Sequence, residues 1–130
     1  MPRELFQVVH QSGSHVLQLT VPASADVSEF DKLNQAALSE IESAADQGWI
    51  LDMSGCSYVG SAALGFMINV RQRIKKANGA LVLCGVSKHI ASTLRASSLG
   101  RLFYITEDRA SAEAVIADWL SQRRGGSKPQ

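Results

Sequence analysis

Two short apolar runs, Trp49–Met53 (WILDM) and Ala80–Cys84 (ALVLC), constrain this chain most. Each is bounded by turn-forming residues and is short for a buried helix, so each reads as a strand covered on both faces. Between them, the stretch from Ser61 to Ala77 has the spacing of a helix, and Asn78-Gly79 stops it. A strand that passes through a helix to its neighbour needs a crossover connection, which makes the pair parallel.

The flanking segments extend this plan. Phe6–His10 and His15–Thr20 are β-prone and predict a hairpin, with Gly13 supplying the positive φ of a tight turn. Pro22, with no N–H to donate, breaks the ladder in Val21-Pro22-Ala23-Ser24. Asp26 and Glu29 form a capping-box pattern, with Ser28 as a competing cap. Beyond it Phe30, Leu33, Ala37, Leu38, Ile41 and Ala45 share one helical face, and Gly48 marks the expected end of that helix. Ser87 caps a short helix carrying Ile90 and Leu94, and Leu102–Ile105 is a last brief strand. Asp108 opens a helix with Ala112, Val115, Ile116, Trp119 and Leu120 on one face. The expected order is β-β-α-β-α-β-α-β-α. It describes one α/β domain over residues 1–121, a mixed sheet of about five strands with four main helices, and a flexible tail over 122–130.

Composition narrows the chemistry. The 130 residues suit one core, and 45% hydrophobic against 19% charged residues is a globular balance. Thirteen basic and twelve acidic residues leave +1, which gives no electrostatic case for nucleic acid. Arg123, Arg124 and Lys128 fall in the Gly/Ser/Pro-containing end, QRRGGSKPQ, and read as a solubilising tail. No apolar run approaches the ~20 residues of a membrane span, and the N-terminus lacks a secretory pattern. Cys56 and Cys84 are too far apart for a CxxC pair and sit in apolar surroundings, so both are expected as buried free thiols of a cytoplasmic protein.

Few residues suggest catalysis. Asp52 is a carboxylate inside an apolar strand, but it precedes Ser54-Gly55 and is expected to hold that turn through backbone N–H groups. His10, His15 and His89 form no HExxH and no pair by spacing, and no Ser-His-Asp arrangement accompanies a GxSxG elbow. Gly60–Gly65 (GSAALG) lacks the spacing and the lysine of a phosphate loop. No enzyme activity, cofactor or metal is expected. Ser61 stands out instead, at the N-cap or first turn of a helix, where free amides and the dipole favour an anion. A plain capping serine and a phosphoacceptor are both compatible with that spacing. Phosphate would add about −1.5 to −2 charge to a small, apolar surface of Ala62, Ala63, Leu64 and Gly65.

The stretch ILDMSGCSYVGSAALGFMINVRQRIKKANGALVLCGVS resembles the central segment of STAS domains, the family of the bacterial anti-sigma factor antagonists. The matching features are Leu51-Asp52-Met53-Ser54, the pair Tyr58-Val59 and the helix-opening block Gly60-Ser61-Ala62-Ala63-Leu64-Gly65. The Ala77-Asn78-Gly79-Ala80 turn and Ser97–Phe103 continue the likeness, which spans about Val16 to Trp119. Gly60 replaces a frequent Asp or Ser, Ala63 replaces a Gly, and Val21–Asp26 replaces a Gly-Glu-Leu-Asp turn. The resemblance implies a non-catalytic, cytoplasmic binding module with Ser61 as phosphoacceptor. Its partners would be an anti-sigma factor that is a serine kinase, bound when Ser61 is unphosphorylated, and a resetting serine phosphatase. Gly60, Ser61, Ala62, Leu64 and Gly65, with Ser24 and Asp26, would form the docking face. The alternative is a soluble STAS subunit of an ABC-type transport assembly, with no membrane insertion of its own.

Overall fold

A computed structural model describes residues 6–11, 14–21, 26–56 and 60–124. The hairpin strands β1 (Phe6–Gln11) and β2 (Ser14–Leu19) pair antiparallel, with Phe6 opposite Leu19 and His10 opposite His15. Three further strands, β3 (Gly48–Asp52), β4 (Ala80–Cys84) and β5 (Tyr104–Ile105), each add parallel to the one before. The sheet order is therefore β1-β2-β3-β4-β5, the same as the order along the chain. The turn containing Gly13 and the segment from Pro22 to Ala25 lie outside the described residues.

Helices α1 (Val27–Glu42), α2 (Ser61–Lys76) and α3 (Lys88–Ala96) make the three crossovers. Right-handed crossovers in a sheet that always grows at the same edge put every connecting helix on one face. The core follows. Leu17, Trp49, Leu51 and Leu83 point to the face where Leu33, Ala37, Ile41, Phe66, Met67, Val70, Ile90 and Leu94 pack. The alternate residues Val16, Ile50, Val82 and Cys84 point the other way, where helix α4 (Arg109–Arg124) covers them with Ala112 and Ile116. Strands buried on both faces explain why WILDM and ALVLC show no alternation.

The expected elements match in type, and several boundaries move. Helix α1 ends at Glu42 with Ser43 as its C-cap, not at Gly48. Ala44 and Ala45 stay buried and prolong the apolar period, but the backbone has already tightened, with Ala44 N–H donating to Ile41 O at 2.9 Å. Gly48 instead starts β3, in register with Ser14 and Ala80. Leu102 belongs to a 3-10 turn, Leu99–Leu102, and the last strand is only Tyr104–Ile105. Helix α4 runs to Arg124, into the segment expected as tail, and Arg123 reaches Asp46 O at 2.6 Å and lies over the Trp119 ring at 4.7 Å.

Candidate functional site

Strands β2 to β5 are parallel and each leads into a helix, so four helix N-termini gather at the carboxyl edge of the sheet. Three carry a side-chain cap. Asp26 accepts from Glu29 N–H at 2.9 Å while Glu29 Oε1 accepts from Asp26 N–H at 3.2 Å, the expected capping box. Ser87 Oγ accepts from Ile90 N–H at 3.1 Å, and Asp108 Oδ1 accepts from Ser111 N–H at 2.8 Å. The fourth, at α2, is different: its N-cap is Gly60, which has no side chain to accept anything.

Ser61 is the first residue of α2, and its side chain is exposed. The plain capping reading of Ser61 therefore does not hold, since Gly60 occupies the cap position and no side-chain cap bond exists there. Gly60 therefore gives the first-turn amides of α2 no side-chain acceptor at the cap position, and a helix start of that kind favours an anion. One helical turn on, Leu64 is half-buried and Gly65 exposed, and a methyl group built on Gly65 would meet nothing within 4 Å. Ala62 and Gly60 are also half-buried, while Ala63, Phe66, Met67 and Val70 anchor the opposite side of α2 in the core. Asp26 is exposed at the start of α1 on the same edge; Ser24 lies outside the described residues.

Asp52 organises the approach to this helix. It is 7% exposed at the end of β3 and accepts from Ser54 N–H at 3.0 Å and Ser54 Oγ–H at 2.8 Å. Arg109, at the start of α4, donates to its other oxygen at 3.1 Å. Burial pushes this carboxyl upward, but the Ser54 bonds and the Arg109 charge outweigh it and hold the group below its ordinary value. The turn role expected of Asp52 is thus present. Its arginine partner, distant in sequence, carries no local signal. Gly85 packs against the same carboxylate with φ +69; a Cβ there would sit 2.9 Å from Asp52 Oδ1.

Cys56 and Cys84 are free and buried, and burial pushes the Cys84 thiol up to about 11. The histidines depart from expectation, because hairpin pairing brings two of them together. His10 and His15 are opposite one another with Nδ1 atoms 2.8 Å apart, and His15 Nε2 donates to Gln47 Oε1 at 2.6 Å. Two imidazoles are short of a metal centre, and among the described residues no group of three or more His, Cys, Asp or Glu could hold an ion. Among those residues no helix is long and apolar enough to cross a membrane.

The family model for the STAS domain matches residues 7–112. The chain belongs to the STAS domain family. Solved structures agree with that fold. An anti-sigma-factor antagonist (STAS) domain protein from Planctomyces limnophilus is 20% identical, with TM-score 0.75 over 86% of this chain and 97% of its own. A putative anti-sigma factor antagonist from Thermotoga maritima is 15% identical, with TM-score 0.77 over 86% and 94%. The Bacillus cell fate determinant SpoIIAA in its phosphorylated form is 16% identical, with TM-score 0.64 over 85% and 98%. No curated protein sequence matches the chain. In this STAS domain the family block Gly60–Gly65 is the start of α2, so the uncapped helix and the resemblance fall on the same residues.

Proposed function

We propose that this STAS domain is a phosphorylation-switched binding module of the anti-sigma factor antagonist type. In its unphosphorylated form the start of α2 docks on an anti-sigma factor that is also a serine kinase. Ser61 Oγ then attacks the γ-phosphorus of ATP; the new O–P bond forms as the bond to ADP breaks, and the hydroxyl proton leaves. A serine phosphatase reverses the step by hydrolysis. The reading gives the chain a cytoplasmic, non-catalytic role in transcription control.

The observation that carries this reading is the exposed Ser61 on a helix start whose cap residue offers no acceptor. A phosphate there is tolerated within the domain, since no cap side chain at Gly60 competes for the helix start and the dipole favours an anion. It is not tolerated between domains. Burying a dianion against Leu64, Ala62 and a partner surface costs several kcal/mol unless the partner supplies cations, and each 1.4 kcal/mol is a tenfold loss of affinity.

The test begins with affinity capture from native cell extract, using the Ser61→Ala domain as bait. The captured protein is then purified and titrated against the unmodified, phosphorylated and Ser61→Ala forms. Expected are phosphate at Ser61 by mass spectrometry after incubation with ATP, tight binding of the unmodified and alanine forms, and at least tenfold weaker binding of the phosphorylated one. Equal affinity for all three removes the switch.

A further inference from the structure

The turn between α2 and β4 holds a reactive pair that the docking site does not use. Asn34 precedes Gln35, Asn69 precedes Val70, and Asn78 alone of the asparagines precedes a glycine. A glycine leaves the backbone nitrogen after an asparagine unhindered, so in Asn-Gly that nitrogen attacks the side-chain amide most readily. Asn78 is exposed, and its φ is +66.

The fold holds this pair in an unreactive arrangement. Asn78 N–H donates to Lys75 O at 3.0 Å and Gly79 N–H donates to Ile74 O at 2.9 Å, the two bonds that close a helix through a left-handed residue. The nitrogen that would attack is therefore already engaged as a donor. Its surroundings have no slack. A Cβ on Gly79 would lie 2.1 Å from Ala45 O and 2.7 Å from Gln47 O, and Ala80 N–H donates to Gln47 O at 3.1 Å as β4 begins. On the other side, Arg123 in the last turn of α4 donates to Asn78 O at 3.3 Å and to Asp46 O at 2.6 Å, with its guanidinium over the Trp119 ring.

We propose that Asn78 is a deamidation site gated by the last turn of α4. Water is the co-reactant. The Gly79 nitrogen loses its proton and bonds to Asn78 Cγ; the Cγ–Nδ2 bond breaks and ammonia leaves, which closes a succinimide ring. Water then opens either C–N bond of that ring and leaves an aspartyl or an isoaspartyl residue. The ring contains the Gly79 nitrogen, whose proton Ile74 O accepts, and the Asn78 carbonyl carbon, whose oxygen Arg123 holds. Both bonds must be released before the ring can close. The rate in the folded chain is then the rate in an open turn multiplied by the fraction of time the turn is open.

The two products differ in consequence. An aspartyl residue leaves the backbone as it was. An isoaspartyl residue lengthens the backbone beside Gly79, where the carbonyls of Ala45 and Gln47 leave no room, so the turn cannot reclose in the β4 register. An opening of α4 is in that way recorded irreversibly in the chain.

Peptide mass mapping after incubation in mildly alkaline buffer tests this. In the urea-unfolded chain Asn78 should convert while Asn34 and Asn69 stay intact, and in the folded chain its conversion should be about tenfold slower or more. Arg123→Ala should speed the folded-state reaction about tenfold. Asp52→Asn, which weakens the fold at the far end of β3, is the control for general loosening and should speed it less. The isolated isoaspartyl form should have a lower thermal midpoint than Asn78→Asp. The proposal is overturned by an intact Asn78 in the unfolded chain, by equal rates in folded and unfolded chains, by Arg123→Ala reacting no faster than Asp52→Asn, or by an isoaspartyl form as stable as Asn78→Asp. None of these variants touches Ser61, so the outcome is independent of the phosphorylation reading.

Discussion

Asp52 shows how much one side chain fixes. Its two oxygens tie the turn after β3 to the start of α4, through Ser54 on one side and Arg109 on the other. Asp52→Asn removes the charge that Arg109 pairs with and should destabilise the domain by about 1–3 kcal/mol in urea unfolding. The pH dependence has a definite sign. A carboxyl held below its ordinary value of 3.8 stabilises the fold fully above that value, and the contribution is lost as pH falls through the lower folded value. The acid limb of the wild-type stability curve should therefore be steeper below about pH 4 than that of Asp52→Asn. An unchanged limb would mean that the ion pair contributes nothing.

Helix α2 divides its surface between two tasks. Phe66, Met67, Val70 and Ile74 hold it to the sheet, half-buried Leu64 packs at the margin of the core, and Ser61 and Gly65 are exposed on the side turned away. Gly65 is informative because open space surrounds it. A glycine inside a helix costs about 0.8–1.0 kcal/mol relative to alanine, so Gly65→Ala should stabilise the domain by up to that amount. Gly65→Trp should leave the thermal midpoint within a few degrees and abolish capture of the partner that the Ser61→Ala domain retains. Capture undiminished by the tryptophan would place docking elsewhere. Most of this helix was legible in the sequence, since its buried positions recur at helical spacing and Asn78-Gly79 ends it. The end of α1 was not, because Ala44 and Ala45 keep the apolar rhythm while the chain turns at Ser43. The uncapped state of α2 was only half visible. Gly60 precedes Ser61 in the sequence, but which of the two takes the cap position is decided by backbone geometry.

At the scale of the molecule, two unequal layers of helix enclose the sheet. Three helices cover one face and α4 covers the other. The alternation of strands and helices made the parallel sheet legible, as did the hairpin at its edge. Contacts between distant segments were not, because no local pattern pairs Asp52 with Arg109 or brings Arg123 to Asp46. The face under α4 rests on Val16, Ile50, Val82 and Cys84. Burial of such side chains contributes about 1.5–3 kcal/mol each, against a total stability on the order of 5–15 kcal/mol. A chain ending at Asp108 should then show no cooperative unfolding transition and should bind a hydrophobic dye. A cooperative transition in that fragment would show α4 to be dispensable.

Because each strand pairs first with the strand made just before it, the sheet can be laid down in the order in which a ribosome delivers it. No strand has to be inserted between two that are already paired, and no early strand waits for a late one. Only the last helix is owed. At ~5–20 residues per second, the 16 residues of α4 take on the order of one to three seconds to emerge. For that interval the finished sheet stands bare on one side, which makes the newborn chain, rather than the mature one, the form that a chaperone would recognise.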